Sequence, residues 1–170
     1  MPNTVRLHRV LTTRPEKVYR AFLEADALAK WLPPNGFACT VHHLEAKVGG
    51  TFKMSFRNFT TGTGHSFGGE FVELVPNERL RYTDRFDDPS LPGEIQVTVT
   101  LKTVSVGTEI NIVQEGLPDV IPLEACYLGW GSRCKTWHVS QNPKSLNSAA
   151  TAGIEVASPA GCRARFAACS

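Results

Sequence analysis

Apolar positions along the first 130 residues alternate at two periods, and the order of those periods sets out a fold. Thr4–Thr12 alternates as a strand, with Val5 and Leu7 on one face and Arg6 and His8 on the other. Thr13 then offers a helix cap and Pro15 suits a first helical turn, while Val18, Tyr19, Phe22 and Leu23 recur at helical spacing. A second short helix carries Leu28 and Trp31 and is stopped by Pro33-Pro34. From Phe37 the period changes to two. Phe37–Ala46 is read as a strand, Gly49-Gly50 as a turn, and Thr51–Asn58 as a strand whose Phe52, Met54 and Phe56 share one face. After the loop Thr60–Gly64 come strands at Ser66–Val75, Arg79–Phe86, Glu94–Val104 and Thr108–Gln114. In Arg79–Phe86 the residues Leu80, Tyr82, Asp84 and Phe86 lie together; in Glu94–Val104 it is Ile95, Val97, Val99 and Leu101. Short connections make the last six of these seven strands antiparallel neighbours. Leu123, Tyr127 and Trp130 then mark a final helix that begins near residue 120.

The patterning ends at Trp130–Gly131. Residues 131–170 sustain no period, are rich in Ala and Ser, and hold three of the five cysteines, Cys134, Cys162 and Cys169. Charge divides at the same place: 13 Lys/Arg against 15 Asp/Glu before the seam, 5 against 1 after it, so the overall +2 averages two unlike pieces. The expected organisation is one domain over 1–130 and an irregular, solvated extension over 131–170. Scattered basic residues in the extension argue against nucleic-acid or membrane binding, and no apolar run approaches the ~20 residues that span a bilayer. The N-terminus alternates like a strand instead of carrying an apolar secretory core, which points to the cytoplasm. Cysteine spacing shows neither a disulfide framework nor a zinc site, so no metal and no cofactor is expected.

The motifs between these elements carry a resemblance. RVLTTRPEKVYRAFLEADALAKWLPP, KVGGTFKMSF, GGEFVELVPNERLRYTDRF, GTEINIVQEGLPD and CYLGW, in that order over residues 3–130, resemble the bacterial homologues of the heat-shock protein 90 ATPase activator. That group is a branch of the START-like, SRPBCC superfamily, related to polyketide cyclases and the birch-pollen allergen. The resemblance implies an α+β helix-grip fold: a curved seven-stranded antiparallel sheet, two short helices after the first strand, and a long C-terminal helix that closes a cavity. After Trp130 the sequence departs from the family. With ordinary codon choices, SRCKTWHVSQNPKSL can be encoded so that a shifted frame reads KMQNLARLAEPEIP, an amphipathic helix of the expected kind. Residues 131–170 are therefore read as the product of a frameshift that truncates or replaces the final helix. Sequencing the gene is expected to reveal a single-base insertion or deletion near the Trp130 codon that restores the family reading.

In such a fold the inner face of the sheet lines a pocket. Alternation assigns its apolar wall to Met54, Phe56, Tyr82 and Phe86, with Trp31 and Phe37 from the helical edge. The same residues would also serve as plain core. Asp84, between Tyr82 and Phe86, is expected to point inward, either as one half of an ion pair with His65, Arg57 or Arg85 or as a ligand-contacting or catalytic acid. Gln114 and Glu115 end the last strand near the expected cavity mouth. Glu70 follows Gly68-Gly69, where a bulge is plausible. His42 and His43 are expected on opposite faces, and His65 alone beside a Gly-rich loop. No nucleophile elbow or phosphate loop is present.

Three functions follow. The first is a binding protein for a hydrophobic small molecule, with Trp31, Phe37, Met54, Phe56, Tyr82, Asp84, Phe86 and Gln114 as its contacts. The second, implied by the resemblance, is a chaperone partner that activates the heat-shock protein 90 ATPase. The third is a cyclase- or hydrolase-type enzyme using Asp84 or Glu115 as acid or base. A homodimer is left open.

Overall fold

The structure, a computed structural model, describes residues 3–131 apart from 125 and 128. The element order is β1 (Asn3–Leu11), α1 (Pro15–Ala21), α2 (Ala25–Trp31), β2 (Phe37–Leu44), β3 (Thr51–Asn58), β4 (Gly64–Val75), β5 (Arg79–Phe86), β6 (Ile95–Val104) and β7 (Gly107–Leu117). One seven-stranded sheet forms, in the order β1-β7-β6-β5-β4-β3-β2, with every pairing antiparallel. Helical turns follow at the described positions of 123–131. The expected continuation beyond residue 131, including the extension and its proposed origin, lies outside the described residues.

The sheet is apolar on one face and polar on the other, as an antiparallel sheet covered on one side must be. Val5, Leu80, Ile95, Val99 and Ile112 are all at most 2% exposed and lie on the inner face. Lys53, Arg57, Gln96 and Lys102 alternate outward, Lys53 pairing with Asp87 across to the end of β5. Helix α1 packs against β6 and β7, whereas α2 packs against the β2 edge. In a flat sheet β7 and β2 would lie about 24 Å apart, five strand spacings. Two consecutive helices of seven residues, each about 10 Å long, cross that span on the inner face.

Local chemistry sets the helix ends, with one correction. Arg14, not Thr13, is the N-cap of α1, with φ −75° and ψ 148°. A residue before proline is driven out of the helical region, and Pro15 therefore imposes on Arg14 the extended backbone an N-cap needs. The Thr13 carbonyl instead accepts the buried Thr108 hydroxyl at 2.6 Å, tying the start of α1 to β7. Trp31, at the end of α2, is 4% exposed; its ring meets Phe22 edge-on at 4.7 Å and its Nε1 donates to the Ala21 carbonyl at 2.9 Å. Trp31→Phe keeps the ring and deletes the donor, so it should lower stability by about 1–2 kcal/mol, read as a shift in urea midpoint at constant slope.

One expected strand irregularity falls elsewhere, and one unexpected irregularity is present. Pairing continues through Gly68, and the register shift in β4 comes between Phe71 and Glu73. In β2 a register shift between Val41 and His43 breaks the alternation at His42. Both histidines consequently face outward, His42 bonding Ser55 Oγ at 2.8 Å and His43 lying opposite Lys53.

Candidate functional site

Strand register gathers the aromatic side chains of β2–β5 into two groups on the inner face. At one end Phe52, Phe71 and Tyr82 form a triangle with ring centroids 5.5, 5.7 and 6.2 Å apart. Toward the other end Phe56 and Phe67 meet edge-on at 4.8 Å, and Phe86 lies 6.4 Å from Phe67. Met54, 3% exposed, fills β3 between the two groups. Such separations and tilted planes are the favoured aromatic arrangements.

Asp84 lies on β5 between the two groups. It pairs with Ile95 on β6, and on its β4 side the chain carries Gly69, whose backbone lies close against that of Thr83 and Asp84. Its Oδ1 is buried, with under 1 Å² exposed. The inward orientation expected from alternation is thus what the structure shows. The two arginines considered as partners turn to the outer face, Arg85 pairing with Glu94 at 3.1 Å and Arg57 lying exposed. His65 is also displaced from Asp84: Phe67 faces Phe86, so His65 lies a further step toward the end of the sheet, level with Asp88.

The remaining predicted residues divide by location. Phe37, Phe56 and Phe86 share the end group, Tyr82 belongs to the triangle, and Trp31 sits in the helix-side core with its indole N–H committed to Ala21. Gln114 faces inward, and its Oε1 accepts Trp130 Nε1 at 3.1 Å. Glu115 does not reach the inner face. It pairs with Gln96 on the exposed side of β6–β7, because it is one residue out of phase with Gln114. The two residues considered as acid or base thus lie on opposite faces of the sheet.

Three participants were missed by the sequence reading. His65 is not alone; its ring lies 5.6, 5.8, 6.2 and 6.5 Å from those of Phe56, Phe86, Phe67 and Phe37. Alternation with Phe67 in GHSFGG was the signal that could have placed it. Phe71, four residues after Phe67 and before the β4 register shift, has the same parity and could have been placed in the same way. Trp130, 3% exposed, brings the C-terminal helix onto the inner face at Gln114, while the Tyr127 hydroxyl accepts the Arg6 backbone N–H at 3.3 Å. A separate concavity of about 410 Å³ at the β4–β5 turn is lined by Asn77, Glu78, Arg79, Thr100 and Lys102 among others, away from the aromatic groups. No group of three metal-ligating side chains occurs among the described residues, and no described helix is long and apolar enough to cross a membrane.

Comparison with known proteins agrees with this architecture. A protein from Chromobacterium violaceum is 57% identical, with 84% of this chain and 99% of that one covered and a TM-score of 0.82. A Rhodobacter sphaeroides protein shares the fold at 21% identity, 84% and 93% coverage and a TM-score of 0.74. The AHSA1 protein of Silicibacter pomeroyi does so at 17% identity, 85% and 99% coverage and a TM-score of 0.70. None of the curated proteins matches the chain. The family model described as activator of Hsp90 ATPase homolog 1-like protein matches residues 12–136, which run from just after β1 through β7 and past Trp130. The chain therefore belongs to the activator of Hsp90 ATPase homolog 1-like family, within the SRPBCC superfamily.

Proposed function

We propose that this protein binds an apolar or aromatic small molecule on the inner face of the sheet, beneath the C-terminal helix. The observation that carries the reading is the buried carboxylate oxygen of Asp84 set between two groups of aromatic rings. Ligand sites combine apolar walls with a few placed polar groups in this way. Gln114 stands at the edge of the site, where it holds the helix through Trp130. The compartment proposed for this activity is the cytoplasm.

A thermal-shift titration with the neutral probe N-phenyl-1-naphthylamine tests the reading. At a hundredfold excess over Kd, binding to the folded state adds about 2.7 kcal/mol, or on the order of 5–10 °C in Tm for a domain of this size. Asp84→Asn, which keeps the shape and removes the charge, is expected to at least halve the shift produced by ligands that carry a hydrogen-bond donor. A Tm indifferent to the probe and to a panel of hydrophobic metabolites would sink the reading.

Family membership favours a second reading, activation of an Hsp90-type chaperone. A rise in chaperone ATPase rate on adding this protein, without any small-molecule response, would replace the first. A third reading, acid–base catalysis by Asp84, predicts a pH–rate profile that is lost in Asp84→Asn.

A further inference from the structure

We propose that His65 reads the charge of the bound molecule, so that the site selects flat aromatic ligands bearing an anionic group. The ring system would lie against Phe56, Phe67 and Phe86, and the anion would lie at His65. The proposal rests on the small-molecule reading above and specifies its ligand class.

The basis is how the basic residues are distributed. On β3 and β5, Lys53, Arg57, Arg81 and Arg85 all alternate with the inward aromatics and so face outward. Across these strands His65 is the basic group among the inner rings, half-buried, with four aromatic side chains around it at 5.6–6.5 Å. A partly desolvated setting strengthens the attraction between a protonated imidazole and an anion. Among the described residues, no charged group of β2 or β3 faces His65, since Arg57 and Lys53 are outward and Lys53 holds Asp87. From the end of β5 comes Asp88, and Asp84 lies further in on the same face. Asp88 is occupied on its other side: its Oδ1 accepts the Ser90 backbone N–H at 2.8 Å. Hydrogen bonds from Ser90 hold its carboxyl below the usual range, with a smaller contribution from the charge of His65. Asp88 is only partly buried, so water still reaches it and weakens its hold on His65, and a ligand anion in the apolar trough can compete.

Two fluorescent probes with one ring system separate the outcomes: anionic 1-anilinonaphthalene-8-sulfonate and neutral N-phenyl-1-naphthylamine. For the wild type, affinity for the sulfonate should fall about tenfold from pH 5.5 to 8.0 as histidine loses its proton, while affinity for the neutral probe stays level. His65→Gln should lower the sulfonate-to-neutral affinity ratio at pH 5.5 at least fivefold and flatten its pH dependence. Asp88→Asn should raise that ratio about threefold, an independent reading if His65→Gln fails to fold by circular dichroism. A pH dependence that survives His65→Gln, or a ratio unmoved by Asp88→Asn, overturns the charge-reading role while leaving the pocket in place. Failure of the neutral probe to bind at all overturns the pocket, and this role with it.

Discussion

Trp130→Ala is expected to cost about 3–5 kcal/mol, a large part of the 5–15 kcal/mol by which a domain of this kind is ordinarily stable. Trp130 is 3% exposed and belongs to the same apolar cluster as the sheet residues Val99 and Ile112. Truncating it leaves a cavity beneath the helix and removes the donor to Gln114 Oε1, so a buried amide oxygen loses its partner. Cys126 and Leu123 pack against the core one and two turns earlier, but neither replaces a ring of that size. The urea midpoint should fall accordingly, and the ligand-dependent rise in Tm should disappear, because the helix no longer has its seat over the inner face. Trp130→Phe separates the contributions: it should retain most of the packing and lose only about 1–2 kcal/mol. A midpoint unchanged in Trp130→Ala would mean that this tryptophan does not anchor the helix.

Gly69→Ala is expected to be nearly as severe for the opposite reason, too little room. A β-carbon at Gly69 would lie 1.8 Å from the Thr83 carbonyl oxygen, 2.6 Å from its carbon and 3.1 Å from the Asp84 nitrogen. These are backbone atoms, so no side chain can swing aside, and β4 and β5 must separate where Asp84 is held. Overpacking of this kind costs about 3 kcal/mol. It should also displace the Asp84 carboxylate, so that ligand response is lost even well below Tm. The comparison is Gly62→Ala in the β3–β4 hairpin, where nothing lies within 4 Å but φ is +71°. There the loss should be only the ~1 kcal/mol of a left-handed residue. Equal midpoints for the two variants would show that β4 and β5 yield easily at Gly69, and that the glycine is incidental.

Much of the site was legible before any coordinates because a pleated strand turns sequence parity into direction. Phe52, Met54 and Phe56 on β3, and Tyr82, Asp84 and Phe86 on β5, face inward as their alternation required. The same parity was available for Gln114 and Glu115, and it places only the former inside. The errors arose where parity breaks or where one strand cannot see its neighbours. A single extra residue at His42 turned two histidines to one face. His65 looked isolated because its companions Phe37, Phe56 and Phe86 come from three other strands. Thr13 looked like a cap because Ser and Thr commonly are, yet the proline two residues on had already committed Arg14.

By itself the sequence determined the order of elements, the inward face of each strand and the family, since all three are written in local periods and motifs along residues 3–130. Only the tertiary structure decided which rings meet, that Asp84 lies beside a glycine between two aromatic groups, and that Trp130 closes onto Gln114. The physical reason is that direction follows from a residue's own backbone period, whereas proximity depends on register and curvature. Those are set jointly by strands and helices far apart in the chain.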